Sequence, residues 1–180
     1  MSSLSSEGEP IPRRNLERKA RCDDLAAARV ALRELGARSE GVQEQTDTFF
    51  HARAGRLKLR RIEGQPAVLI WYDRPDAVTV RPSAYYLVPV SDAALLRAAL
   101  AAGLGVRGEV RKRREVWHWH NVRIHLDEVA GLGRFVEFEA VLTGAADEAP
   151  SRERLGQLGR VLGLVAAQDV AGAYADLLGL

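Results

Sequence analysis

The sequence has 180 residues, 47% of them hydrophobic, which is ordinary for a single globular domain. A formal net charge of only +2 is small for a general nucleic-acid binder, and the single cysteine, Cys22, excludes an intrachain disulfide and a cysteine-based zinc site. No apolar run is long enough to span a membrane, and the start lacks the apolar segment of a signal peptide. We therefore expect a cytoplasmic protein that binds neither nucleic acid nor membranes.

The first half of the chain is predicted to contain one helix among several strands. Residues 1–12 are rich in Ser, Glu, Gly and Pro, which is typical of a disordered tail. A helix is expected over residues 25–35, because Asp23 and Asp24 offer an N-cap and Gly36 offers a stop. Strands are predicted over residues 14–22, 47–52, 55–62, 67–73 and 80–90. The second and third of these strands form a hairpin.

The second half repeats this mixture of strands and helices. Asp92 offers an N-cap for a helix over residues 93–102, and residues 120–121 form a turn between two strands. Strands are predicted over residues 106–119, 122–129 and 135–142. Further helices are predicted over residues 153–164 and 170–178. This order of elements predicts an α+β fold with a largely antiparallel sheet, in one domain over residues 13–180.

Charged residues occupy alternate positions in several predicted strands. A strand directs residues i and i+2 to the same face, so these charges share a face while apolar residues occupy the other. The alternating sets are Asn15, Glu17 and Lys19; Arg56, Lys58 and Arg60; Lys112 and Arg114; Arg123, His125 and Asp127; and Glu137 and Glu139. The simplest interpretation is the solvated face of an antiparallel sheet.

Two features favour a binding surface over a merely solvated face. The face is rich in Arg and Lys and has few Ser, Thr or Gln residues. Its carboxylates are concentrated in the first and last strands, which become neighbours if the sheet closes. Carboxylates bind hard divalent cations, and Arg and Lys bind phosphates. The pattern therefore suits a divalent cation that bridges to a polyphosphate.

The ordered set of motifs resembles the CYTH superfamily, the triphosphate tunnel metalloenzymes, which group class IV adenylate cyclases with thiamine and inorganic triphosphatases. The resemblance covers about residues 13–180. It is carried by the segments 15–19, 47–50, 57–60, 112–114, 123–129, 131–133 and 137–139. Residues 70–76 and 173–178 resemble the cyclase-like branch in particular.

This resemblance implies a closed eight-stranded antiparallel β-barrel whose interior is a triphosphate tunnel, with helices packed on the outside. It also implies Mg²⁺ or Mn²⁺ as cofactor, ATP or another small triphosphate as ligand and, from the cyclase branch, a homodimer. The implied metal ligands are Glu17, Asp127, Glu137 and Glu139. The implied triphosphate-binding residues are Lys19, Lys58, Arg60, Arg74, Lys112, Arg114 and Arg123. Catalytic roles are implied for Glu17, Lys19 and Arg74.

Three departures from the family pattern bear on the reaction. Asn15 replaces the first acidic residue of the opening motif, which removes a charge from the metal site. Arg74 stands where triphosphatases tend to carry a Lys that helps to activate water, and an arginine stays protonated. Phe49 and Phe50 stand where those enzymes tend to carry Tyr. We therefore expect a class IV adenylate cyclase-like enzyme that converts ATP to cyclic AMP and pyrophosphate. The alternatives are an inorganic or organic triphosphatase and a non-catalytic nucleotide- or polyphosphate-binding protein.

Overall fold

The computed structural model describes residues 10–180. Its strands are β1 (Arg13–Arg21), β2 (Arg38–Phe50), β3 (Arg56–Ile62), β4 (Ala67–Asp73), β5 (Arg81–Val90), β6 (Val106–Trp119), β7 (Val122–Val129) and β8 (Gly133–Leu142). Its α-helices are α1 (Leu25–Glu34), α2 (Ala93–Leu104), α3 (Glu148–Val161) and α4 (Tyr174–Leu177). Most of the predicted N-terminal tail, residues 1–9, lies outside the described residues. Within residues 10–180, no helix combines the length and apolar character needed to cross a lipid bilayer.

The eight strands close into one antiparallel barrel, which confirms the predicted fold class. Their order around the barrel is β1-β5-β4-β3-β2-β6-β7-β8. β1 pairs with β5 on one side and with β8 on the other, so the first and last strands are neighbours. Closure brings the carboxylates of β1 and β8 together, as the sequence pattern predicted, and leaves no strand with a free edge.

The apolar faces of the strands point outward and are covered by the helices. Leu16 on β1 and Phe138 on β8 are fully buried in a cluster with Leu32 of α1 and Leu155 of α3. A second cluster lies under α2, where Leu59 of β3 is fully buried. Burial of a large apolar side chain contributes on the order of 1.5–3 kcal/mol, so these clusters hold the charged faces toward the barrel interior.

The helix ends follow the sequence signals. Asp24 Oδ1 accepts a hydrogen bond from the Ala27 N–H at 2.9 Å, and Asp92 Oδ1 accepts one from the Leu95 N–H at 2.9 Å. Each carboxylate satisfies an N–H that has no partner within its own helix. Gly36 has a φ of 81° directly after α1, a conformation that favours glycine and ends the helix.

The C-terminal segment, residues 165–180, lies across one mouth of the barrel. The Val170 N–H donates to the Lys19 carbonyl at 2.9 Å, which attaches the segment to the end of β1. The Tyr174 ring lies 5.0 Å from the Phe135 ring at the start of β8. The end of β1 and the start of β8 belong to the same mouth, so residues of this segment reach the tunnel from that side.

β2 is longer than predicted. It begins at Arg38, whereas the predicted strand covered only residues 47–52. The added segment, residues 38–46, contains few apolar residues and therefore lacks the apolar–polar alternation that marks a strand. Pairing with β6 keeps it in the sheet, with a register shift between Ser39 and Gly41.

Two C-terminal helices also differ from their predicted bounds. α3 begins at Glu148 rather than at residue 153, and Pro150 sits in its first turn, where the missing N–H costs no helical hydrogen bond. The helix predicted over residues 170–178 is reduced to the four residues of α4. Gly172 has a φ of 76°, which a continuous helix does not allow.

Candidate functional site

The inward faces of the strands enclose a tunnel of about 350 Å³. Every residue predicted for the site lines it except Asp127. The lining members of the predicted set are Glu17, Lys19, Lys58, Arg60, Arg74, Lys112, Arg114, Arg123, Glu137 and Glu139. The alternation in β6 also agrees with the structure, because Lys112 and Arg114 are buried while Arg111 is exposed.

The pairing of β1 and β7 with β8 brings three carboxylates together on the β8 side of the tunnel. We call Glu17, Glu137 and Glu139 the acidic group. Glu17 of β1 lies opposite Glu139 of β8, and Lys19 lies opposite Glu137. On the other flank of β8, His125 of β7 pairs with Glu137. Directly opposed residues have Cβ atoms about 4.5–5.5 Å apart, so three strands place their inward side chains side by side.

Three basic side chains form ion pairs with Glu137 and Glu139. Arg114 donates to Glu137 Oε2 at 2.8 Å, Lys19 Nζ lies 3.3 Å from Glu137 Oε1, and Arg123 lies 2.9 Å from Glu139 Oε2. Burial raises the pKa of Glu137, but the charges of Lys19 and Arg114 oppose burial, and the pKa lies well below its usual range. The carboxylate is therefore ionised at neutral pH.

Glu17 occupies a different electrostatic environment. Its Oε1 lies 2.7 Å from Arg74 Nε and 3.1 Å from Arg81 Nε. Burial and the neighbouring charge of Glu137 nevertheless raise the pKa of Glu17. Carboxylates this close disfavour one another's ionised forms, and a cation bound among them would relieve that repulsion.

On the opposite wall, three basic side chains share a single carboxylate. We call Lys58, Arg60 and Lys112 the basic group. Asp47 accepts hydrogen bonds from Lys58 at 3.0 Å, from Arg60 at 2.7 and 2.8 Å, and from Lys112 at 2.8 Å. Burial raises the pKa of Asp47, but the three cations outweigh it and hold the pKa well below its usual range. The sequence pattern marked residues 47–50 as a motif but gave Asp47 no role. The available signal was its place opposite Arg60 in the hairpin.

One carboxylate cannot fully compensate three neighbouring cations, of which Lys112 is buried and the other two are largely covered. Burial and the neighbouring Arg60 lower the pKa of Lys58 to about 8, although Asp47 opposes them. Burial lowers the pKa of Lys112 to about 7, and Arg60, Arg114 and Lys58 add to this effect against the attraction of Asp47. The basic group therefore has too few anionic partners, and a bound polyanion would supply more negative charge.

Binding of a polyanion in the tunnel is expected to make the protein take up protons from the solvent. Favourable charges raise the depressed pKa values of Lys58 and Lys112, so binding between about pH 7 and pH 8 should take up protons. Isothermal titration of tripolyphosphate in buffers of different ionisation enthalpy measures that uptake. Lys112→Met should take up fewer protons than the wild type. Equal proton uptake by both proteins would contradict this assignment.

Asp127, predicted as a metal ligand, is placed differently from the other carboxylates. It accepts hydrogen bonds from Arg114 at 2.7 and 2.6 Å and from the Tyr174 hydroxyl at 2.7 Å, and it is fully buried. Tyr174 reaches it from the C-terminal segment, which the strand pattern of β7 could not reveal. Asp127 therefore orients Arg114 beneath the tunnel surface, and both of its oxygens are already held by these donors.

His125 is the residue beside the acidic group that the sequence interpretation did not select. Donor atoms of His125, Glu137 and Glu139 all lie within 4.8 Å of one another. Burial and Arg114 lower the pKa of His125, which keeps the imidazole neutral. Carboxylate oxygens suit Mg²⁺ and Mn²⁺, and a neutral imidazole is a further ligand type, so these side chains fit a divalent cation.

The mouth opposite the C-terminal segment is less charged. Ile62, Ile70 and Leu87 line it, and His118 pairs there with Glu40. Within residues 10–180, the tunnel thus passes from a mixed apolar and polar mouth to the ionic groups deeper inside. This mouth could accommodate an uncharged part of a ligand whose charged part reaches the cations.

The three departures from the family pattern occupy distinct positions. Asn15 lines the tunnel, and its buried Oδ1 has no hydrogen-bond partner within residues 10–180. Arg74 donates to the Gly172 carbonyl at 2.7 Å besides contacting Glu17. Phe49 lines the tunnel, whereas Phe50 points outward into the core under α2.

Comparison with solved structures identifies the same architecture in other proteins. PH1012 from Pyrococcus horikoshii OT3 has a TM-score of 0.79 at 22% identity, covering 91% of this chain and 98% of that one. An adenylate cyclase candidate from Vibrio parahaemolyticus has a TM-score of 0.77 at 20% identity, covering 94% and 99%. An adenylyl cyclase candidate from Hippeastrum, described as having a dominant triphosphatase activity, has a TM-score of 0.61 at 15% identity, covering 88% and 91%.

Sequence comparison extends this likeness from fold to family. No curated protein sequence matches the chain significantly. The CYTH domain family, however, matches residues 13–174, which include all eight strands and every charged residue of the tunnel lining. With the barrel, the acidic group and the basic group all inside the matched region, the chain belongs to the CYTH domain family.

Proposed function

We propose that this protein binds a small triphosphate in the tunnel with a divalent cation, Mg²⁺ or Mn²⁺, and acts as a class IV adenylate cyclase-like enzyme. The observation that carries the proposal is the division of the tunnel wall. Asp47 leaves Lys58, Arg60 and Lys112 undercompensated on one side, while Glu137 and Glu139 lie on the other.

Charge balance supports a triphosphate as the ligand. Among residues 10–180, seven Arg and Lys side chains and five carboxylates line the tunnel, which leaves a formal surplus of two positive charges. A nucleoside triphosphate that carries one divalent cation has a net charge of about −2, because the cation neutralises part of the phosphate charge. A ligand of this kind would balance the tunnel without leaving an unpaired buried ion.

The basic side chains and the carboxylates have distinct roles in this proposal. The phosphate oxygens would be bound by Lys19, Lys58, Arg60, Lys112, Arg114 and Arg123. Glu137 and Glu139, with Glu17 beside them, would hold the cation, which when bound neutralises charge on the phosphates. Arg74 would keep Glu17 oriented and ionised. Phosphoryl transfer depends mainly on positioning and electrostatic stabilisation, which fixed charges on a rigid barrel supply.

In the proposed reaction, the ribose 3′-oxygen attacks the α-phosphorus and its hydroxyl proton is released to solvent. The bond from that phosphorus to the bridging oxygen breaks, and pyrophosphate leaves with the electron pair. The products are cyclic AMP and pyrophosphate. The walls of the tunnel would fix the nucleotide in the bent conformation that brings the 3′-oxygen to the phosphorus.

The tunnel offers no base at the position where triphosphatases of the family tend to carry a lysine, which supports cyclisation over hydrolysis. Arg74 stays protonated and cannot activate water. Burial raises the pKa values of Tyr72 and Tyr174, so these two phenols of the lining stay protonated at neutral pH. Hydrolysis remains the second candidate, because the Hippeastrum relative is described as having a dominant triphosphatase activity.

A product assay tests the proposed function. Purified protein is incubated with ATP or with tripolyphosphate, each with Mg²⁺ and with Mn²⁺. We expect cyclic AMP and pyrophosphate in equal amounts from ATP. Orthophosphate from tripolyphosphate without cyclic AMP from ATP would instead assign the protein as a triphosphatase. Binding without turnover would assign it as a nucleotide or polyphosphate sensor, for which the loss of charge at Asn15 is the structural reason.

A further inference from the structure

His125 is a buried tunnel residue for which the proposed reaction has no use. It lies on β7 and is only 6% exposed. Its Nδ1 is buried and has no hydrogen-bond partner in the part of the chain that the structure describes. Buried polar atoms in proteins are nearly always satisfied, so this one needs an explanation.

The unpartnered nitrogen faces the acidic group. His125 Nδ1 lies 3.6 Å from Glu137 Oε2 and 3.9 Å from Glu139 Oε1. Two atoms that each bind one ion at about 2.1 Å are separated by about 3.0 Å when they are at right angles and by about 4.2 Å when they are opposite. Both measured separations fall in this interval. They are too long for hydrogen bonds but suitable for two ligands of one cation.

Ion pairs hold these carboxylates in place but leave one oxygen of Glu139 facing His125. Glu137 is held at both oxygens, by Arg114 at Oε2 and by Lys19 at Oε1, and Arg123 contacts Oε2 of Glu139. Glu139 Oε1, in contrast, points toward His125 Nδ1. An imidazole nitrogen that lies between two carboxylates, with no hydrogen-bond partner among the described residues, is suited to ligate a metal ion that the carboxylates share.

We propose that His125 Nδ1 directly ligates the divalent cation together with Glu137 and Glu139, and that this nitrogen makes the site prefer a first-row transition-metal ion such as Mn²⁺ over Mg²⁺. The inference rests on the metal dependence proposed above. Mg²⁺ is bound almost wholly by oxygen, whereas transition-metal ions accept imidazole readily. The preference for Mn²⁺ over Mg²⁺ would thus come from His125 on β7, and not from the carboxylates alone.

Pulsed electron paramagnetic resonance of bound Mn²⁺ tests the ligand directly. Mn²⁺ is added to the full chain without nucleotide, and the modulation from a directly coordinated nitrogen is recorded. We expect a ¹⁴N signal that changes to the ¹⁵N pattern in uniformly ¹⁵N-labelled protein. His125→Ala should lose the signal. His118→Ala should keep it, because His118 lies at the tunnel mouth and pairs with Glu40.

Metal affinity gives a second readout that needs no turnover. In Mn²⁺ binding titrations with Mg²⁺ as competitor, His125→Ala should reduce the preference for Mn²⁺ about tenfold, and His118→Ala should not change it. Bound Mn²⁺ without nitrogen coupling, or coupling that persists in His125→Ala, would overturn the ligand assignment alone. Failure to bind Mn²⁺ at all would overturn the metal site as well. The product assay tests the reaction separately from both outcomes.

Discussion

Replacing Asp47 by asparagine is expected to destabilise the ligand-free protein by about 3–5 kcal/mol, the usual cost of removing one partner from a buried ion pair. Asp47 is 1% exposed and is hydrogen-bonded to Lys58, Arg60 and Lys112. Without it, three neighbouring cations face one another. The same change removes an anion that competes with phosphate, so tripolyphosphate should stabilise Asp47→Asn more than it stabilises the wild type.

Denaturant unfolding with and without tripolyphosphate measures both effects. Glu115→Gln is the matched control, because Glu115 is 8% exposed and pairs with Arg29 at 2.6 Å but does not line the tunnel. It should lose stability, and tripolyphosphate should stabilise it by the same amount as it stabilises the wild type. If tripolyphosphate stabilises Asp47→Asn no more than the wild type, the three cations are not the phosphate-binding group.

The double substitution Glu137→Gln with Glu139→Gln should reduce metal-dependent turnover by at least about a hundredfold. The amides keep the size of the side chains but remove the charges that attract the cation. Two fewer carboxylates also make the tunnel more positive. Tripolyphosphate without metal should therefore bind the double variant at least as tightly as the wild type, which separates loss of the metal from loss of the fold.

The control for this pair is Glu44→Gln with Glu128→Gln, which removes two exposed carboxylates near Arg113 on the outside of the barrel. It should retain the turnover of the wild type. Full activity in the Glu137 and Glu139 variant would reject the proposed site. Weaker tripolyphosphate binding in that variant without metal would show that these side chains position the phosphates themselves.

The local pattern of the sequence was enough to predict which charged residues share one face of each strand, and the family resemblance placed that face in a tunnel. Strand alternation depends on one residue and its near neighbours, so the inward direction of Lys58, Arg60 and Lys112 could be deduced before any fold was known. The outward apolar faces follow from the same rule. The closed barrel itself was implied by resemblance, because no single strand encodes which strand pairs with the last one.

The partners of those residues could not be predicted in the same way. Asp47 serves three cations only because β2 lies between β3 and β6. Asp127 is covered by Tyr174, which is far away in sequence and arrives through the C-terminal segment. The position of His125 beside Glu137 depends on the register of β7 with β8. Each of these contacts depends on register or on the path of a distant segment, which alternation does not contain.

The C-terminal segment lies across one mouth of the barrel, which affects how a ligand enters the tunnel and how products leave it. In residues 10–180, the ionic groups lie between this cover and the mouth that Leu87 and His118 line. A triphosphate that binds as we propose would then enter phosphates first, and both products would leave by the route of entry. After cyclisation, pyrophosphate would lie deeper than the cyclic nucleotide and could not pass it. Release would be ordered, with pyrophosphate leaving last.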